Sequence, residues 1–215
     1  MSEQISVEAL PLDRYFVGKL MPCIRKWDGE IRSLLPTLPE DVTIHWFSGG
    51  PLLILAEGVG GFAYDLDSIT LVYDPEFPDK EKQLQYLKGK DYHESFHLVQ
   101  GYVGSADHSA LLPIGGAIYE GAATVFERER AGTDPSYGQY PDEDVVNEWI
   151  KEIKTLTPDY DRKAWEGFHP EKEQAHILYK AGTYIVDEAL KNSPDLTIES
   201  LATMGWEEIL ERSKL

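Results

Sequence analysis

The hydrophobic pattern of this chain changes period once, near residue 79, and that change limits the fold more than any other feature. Before it, "VTIHWF" (42–47) alternates and is rich in β-branched and aromatic residues, and "LLILA" (52–56) reads as a short apolar strand. "FAYD" and "SITLVYD" are strand-like again, with "GGP" and "EGVGG" as turns between the runs. After it, helical patterning covers 79–88, 91–103, 115–131, 142–156, 171–191 and 198–212, separated by Gly, Pro and Asp clusters. An earlier helix is predicted over 11–35 from the spacing of Phe16, Leu20, Ile24, Trp27, Ile31 and Leu34, with Pro22 expected to kink or interrupt it. Strands followed by helices predict an α+β architecture: a small sheet region (42–74) and a mainly helical region (79–215) in one domain spanning 1–215.

Composition narrows the function classes. A chain of 215 residues with 42% hydrophobic and 27% charged side chains can bury a core and is not patterned for disorder. Its net charge of −18 repels phosphate backbones and argues against nucleic-acid partners. Cys23 is the only cysteine, so neither an intramolecular disulfide nor a cysteine-based zinc site can form. The start, "MSEQISVEALPLDRYF", lacks a basic segment followed by a long apolar run, and no apolar run reaches 18 residues. A cytoplasmic protein with no membrane partner is expected.

Chemistry concentrates in "KDYHESFHLVQGY" (90–102), which contains the pattern H-E-x-x-H. On a helix, residues four apart project about 40° from one another, so His93 and His97 can reach one metal ion. Glu94 lies beside the same face, placed to hold a water without ligating the ion. Catalytic zinc needs a third protein ligand. Val103 stands where H-E-x-x-H-x-x-G-x-x-H would have its last histidine, leaving Asp107, His108, Glu120 and Glu127 as candidates. Asp107 and His108 fall in a predicted loop, and Glu127 in "ERER" reads as a solvated face. Glu120 is favoured because Gly116, Ala117, Gly121 and Ala122 would let its helix approach the histidine helix closely.

H-E-x-x-H followed by a glutamate on the next helix, within E-G-x-A-T, resembles the gluzincin metallopeptidases. The likeness is nearest to the uncharacterised group of predicted Zn-dependent proteases beside the thermolysin-like enzymes, and covers roughly 60–190. It implies a zincin-like fold, Zn2+ on His93, His97 and Glu120, Glu94 as general base, and a peptide or protein substrate. One position departs: thermolysin-type enzymes carry an acid four residues after the ligand glutamate to brace a histidine, and Thr124 holds that place here.

Peptide hydrolysis also needs a donor for the developing oxyanion. In "EKEQAHILYKAGTYIVDEAL", Tyr179 matches the family's Tyr-x-x-Gly with Gly182, and His176 lies three residues before it on the same helix face. "GGFAYD" is the candidate edge strand for an extended substrate, with Gly60 and Gly61 allowing close backbone approach. His45 is expected to pack beside the sheet, while His108 and His169 carry no assigned role. Asp65, Asp67, Asp74 and Asp79 read as turn residues, because no D-x-[DN]-x-[DN]-G calcium loop is present. The expected activity is zinc-dependent peptide hydrolysis. The rivals are a regulatory protease for one protein and a non-catalytic zinc- or peptide-binding scaffold.

Overall fold

The computed structural model describes residues 14–215. The start of the predicted 11–35 helix and the apolar position Phe16 lie outside what can be described of backbone and side chain respectively. The coarse class is as expected: α+β, a small sheet and a mostly helical remainder. Of the described residues, those up to Ala106 together with Glu129–Thr133 form one compact unit. Asp107–Arg128 with Asp134–Leu215 form the other.

In the first unit, α1 (Arg14–Leu34) buries Leu20, Ile24, Trp27 and Ile31 of the predicted stripe, while Leu34 is only half-buried and the next residue, Leu35, is buried instead. Pro22 does not interrupt it; the ring sits on the exposed side of a continuous 21-residue helix. Three strands follow: β1 (Thr43–Ser48), β2 (Val59–Asp65) and β3 (Ser68–Tyr73), ordered β1-β3-β2. β3 pairs parallel with β1 and antiparallel with β2, whose register shifts at a bulge between Ala63 and Asp65. The pleat sends Ile44, Trp46, Ala63, Ile69 and Leu71 to one face, all buried. His45 lies on the opposite row, beside Thr70, within the sheet.

"LLILA" is not a strand. It makes one bridge, Ile54 to Val59, and Leu55 is 82% exposed. Its function is local: the Leu52 carbonyl lies where a Cβ on Gly60 would be, 1.9 Å away, so glycine is required there.

The two helices predicted at 79–88 and 91–103 are one, α2 (Lys80–Gln100), which packs on β2 and β3 and against α1. Asp79 caps its start by accepting from Lys82 N, and Gly101 ends it in the left-handed region at φ 69°. Buried Gln83 donates to the Gly58 and Asp74 carbonyls, fastening the helix to the strand ends.

The second unit centres on α3 (Pro113–Phe126) crossing α5 (Ile177–Asn192), with α4 (Glu143–Ile153) and α6 (Trp206–Ser213) on α5. The small residues of α3 make this crossing. A Cβ on Gly182 would lie 1.7 Å from the Ala117 carbonyl oxygen, and one on Gly121 would lie 2.1 Å from the Gly182 carbonyl carbon. α3 continues as a π-helical turn, Glu127–Ala131. The helix expected from 171 starts at Ile177, because β4 (Phe168–His169) and β5 (Gln174–Ala175) form a short hairpin first. Among the described residues no helix is long and apolar enough to cross a membrane.

Candidate metal centre

Every residue of α2 from Gly89 to Leu98 is buried, and Lys90, Asp91, His93, Glu94, Ser95 and His97 in that stretch are polar. Burying such groups is costly unless each has a partner or a ligand, so this turn of helix marks a site. Lys90 forms a buried ion pair with Glu57 at 3.0 Å. Tyr92 donates to Glu30 at 2.7 Å. Burial, reinforced by the charges of Asp28 and Glu94, pushes the Asp91 carboxyl up to about 8.

The histidine rings converge. His93 Nε2 and His97 Nε2 are 3.1 Å apart, with ring centroids at 4.8 Å and nearly perpendicular planes. At that distance the two nitrogens either share an N–H···N hydrogen bond, one ring donating to the other's lone pair, or stand where a single cation could bridge both lone pairs. Nitrogens about 2.1 Å from one tetrahedral ion would be separated by roughly 3.4 Å, close to what is found. His97 Nδ1 lies 2.8 Å from the Gln100 amide oxygen. That acceptor places the proton on Nδ1, so the lone pair on the ring is at Nε2, the atom that faces His93.

Buried His93 and His97, with half-buried Glu120, form the one group of three among the described residues that could hold a metal ion, their ligand atoms lying within 4.8 Å of one another. Two imidazoles and a carboxylate are the donor set of a catalytic zinc site with one position left open. Gln100 extends it, and sequence spacing alone did not single it out. Gln100→Ala is expected to weaken metal binding about 10–100-fold, read from a competition titration with a chelating dye.

Glu94 is outside this group. Its Oε2 accepts from the Ala63 backbone N–H at 2.8 Å, in a buried hydrogen bond from the edge strand. Gly61 provides the space beside it: a Cβ there would lie 2.6 Å from Glu94 Oε1. The glycine pair thus accommodates the protein's own groups, Leu52 at Gly60 and Glu94 at Gly61.

The free edge of β2 is correspondingly short. Ile54 N donates to the Val59 carbonyl, Gly104 N to Ala63 and Ser105 N to Tyr64. Since Ala63 uses both its backbone groups outward, the two-residue period leaves Gly61 as the outward-facing position between these contacts.

In the second unit, Glu127 is not on a solvated face. It is fully buried and accepts a short hydrogen bond from the buried Tyr137 hydroxyl. Tyr137 in turn packs edge-on against Tyr179 at 5.5 Å and against His176 at 6.3 Å. The predicted neighbours His176 and Tyr179 are therefore together, 6.1 Å between ring centroids, and both half-buried. His176 has left-handed backbone (φ 58°) at the N-cap of α5, with Nδ1 3.0 Å from the Glu166 carbonyl. Tyr137 lies in a short 3-10 turn with no periodicity to reveal it. Thr124, in place of a bracing acid, donates to the Glu120 carbonyl at 2.7 Å. His169 packs edge-on against Trp165, 5.1 Å between ring centroids.

Compared with family models, curated proteins and solved structures, the chain matches none.

Proposed function

We propose that this protein is a zinc-dependent peptidase that hydrolyses peptide bonds with metal-activated water. The observation that carries the reading is the division of labour on one turn of α2. His93 and His97 converge with Glu120 as a metal-binding group, while adjacent Glu94 stays outside it, buried and oriented by Ala63. A site built only to hold metal has no use for such a carboxylate.

When bound at His93, His97 and Glu120, zinc supplies Lewis acidity that polarises a carbonyl and acidifies a water. With zinc bound, Glu94 would be the base that takes a proton from the attacking water and returns it to the leaving amine. The hydrogen bond from the Ala63 N–H limits its rotation, so the base is in position before substrate arrives. Tyr179 is the proposed donor to the oxygen that gains negative charge, with His176 as the alternative. Tyr179→Phe should lower kcat about 10²–10³-fold with KM little changed and metal retained. Tyr184→Phe should be nearly silent in the same assay, because Tyr184 packs against Tyr140 at 5.2 Å in a separate cluster.

One observation favours a second reading. With the β2 edge closed at Val59, Ala63 and Tyr64, strand addition of a long peptide has little backbone to pair with. That suits a protease for one shaped partner, or a zinc scaffold without turnover, better than a general peptidase. A broad peptide-library digest with and without chelator separates them. Cleavage abolished by chelator and restored by zinc supports peptidase action. Zinc binding without cleavage of the library or of any folded protein supports the scaffold, and cleavage that ignores the chelator contradicts both.

A further inference from the structure

Glu127 has no part in the metal group, yet it lies seven residues after Glu120, so the two share one face of α3, about 20° apart. Its carboxyl is fully buried and accepts from the buried Tyr137 hydroxyl. A hydrocarbon side chain would fill the same space without the cost of burying a carboxyl. A buried, hydrogen-bonded polar pair is better suited to fixing an orientation than to adding stability.

The orientation it fixes is that of the Tyr137 ring. Tyr137 lies in the 3-10 turn Ser136–Gly138, which is seated on α3 and α5 together. A Cβ on Gly138 would lie 2.5 Å from Thr124 Cγ2 and 3.7 Å from Thr183 Oγ1. Both threonines are buried, and each donates to the carbonyl four residues before it, Thr124 to Glu120 at 2.7 Å and Thr183 to Tyr179 at 2.9 Å. The turn therefore rests against the helical turns that follow Glu120 and Tyr179. From there the Tyr137 ring meets Tyr179 and His176 edge-on, at interplanar angles of 70° and 72°. His176 and Tyr179 meet each other at 86°. Ring edges are positive and ring faces negative, so in such a trio the tilt of one ring sets the other two. His176 is held in turn by the Glu166 carbonyl, which accepts from its Nδ1. The trio is thus braced at Tyr137 by Glu127 and at His176 by Glu166.

We propose that Glu127 and Tyr137 are positioning residues: Glu127 fixes the Tyr137 ring, and that ring holds the Tyr179 hydroxyl in the one place from which it donates to substrate. The donor role of Tyr179 rests on the peptidase reading; the positioning of Tyr179 is tested apart from it.

The test uses the full-length, zinc-loaded protein. Tyr137→Phe should lower kcat about 10–100-fold with KM and zinc content unchanged, because small displacements of a reacting group carry losses of that order. Glu127→Gln should stay within about threefold of the parent, since its amide oxygen still accepts from the phenol. Should Tyr137→Phe fail to fold, Glu127→Leu with Tyr137→Phe replaces both partners by apolar groups and should show the same loss. In a Tyr179→Phe background, Tyr137→Phe should cost less than about a further twofold, because its effect passes through the missing hydroxyl. A separate readout needs no turnover. 3-Fluorotyrosine at position 179 should give the same narrow fluorine resonance in the parent and in Glu127→Gln. In Tyr137→Phe and in the double variant that resonance should move and broaden. An unmoved resonance, a parental kcat in the folded Tyr137→Phe or double variant, or a full loss on top of Tyr179→Phe overturns the proposal. A parent that cleaves no peptide overturns the peptidase reading instead, and the resonance alone then decides whether Glu127 and Tyr137 fix Tyr179.

Discussion

Glu94→Gln is expected to bind metal as the parent protein does and to lose nearly all hydrolysis, kcat falling about 10²–10⁴-fold. The amide keeps the size of the side chain, and its oxygen can still accept from the Ala63 N–H that now holds Glu94 at 2.8 Å. What it cannot do is take a proton from water. The loss corresponds to about 3–5 kcal/mol of barrier, all of it in the chemical step. Stability should change little, because the variant buries a neutral group where a charged one stood. Kinetics on any cleaved peptide, with metal content measured on the same sample, check the result. Wild-type kcat in the variant would mean that another group activates the water. Loss of metal along with activity would mean that Glu94 ligates or positions the ion, against the geometry found.

Gly182→Ala is expected to produce the largest loss of stability. The added Cβ would lie 1.7 Å from the Ala117 carbonyl oxygen and 3.2 Å from Gly121 N. Both are backbone atoms of α3, which cannot rotate aside as a side chain could. The helices must separate, opening the α3–α5 contact along Ala117, Gly121 and Ile185, all of them buried. Overpacking against side chains costs about 1–3 kcal/mol, and against backbone the cost should reach the top of that range or pass it. For a chain of this size that lowers Tm by roughly 6–12 °C. Thermal unfolding of the purified variant measures it. A shift under about 2 °C would show that the two helices are not held at the spacing described.

Gly182 also illustrates how far the sequence could be read. It was singled out by its Tyr-x-x-Gly match, and the structure gives the glycine a packing reason that the motif does not express. The H-E-x-x-H spacing was legible because helical geometry alone brings residues four apart onto one face. The coarse α+β order was legible for the same kind of reason, a change from period two to a helical period. Boundaries were less so. Gly89 reads as a helix break, yet it lies buried in the middle of α2, where the roughly 1 kcal/mol penalty of a helical glycine is outweighed by packing on β2 and β3. "LLILA" has strand composition, but its exposure and single bridge are set by tertiary contacts at Gly60 that no local pattern encodes. Glu127 sits in a charged string and is nevertheless buried, because a π-helical turn shifts the register and Tyr137 supplies its donor. Gln100 and the Ala63 N–H escaped because one is a common helix-end residue and the other belongs to the backbone.

Metal stoichiometry is the most direct measurement of the central claim. Protein purified without added metal, then equilibrated with zinc and dialysed, should carry one zinc per chain by elemental analysis. Glu94→Gln should carry the same, and His93→Ala and His97→Ala should each fall well below it while remaining folded. Glu120→Ala should lose most of its zinc as well. A folded wild-type chain that takes up no zinc, or a Glu120→Ala variant that keeps a full equivalent, would contradict the account.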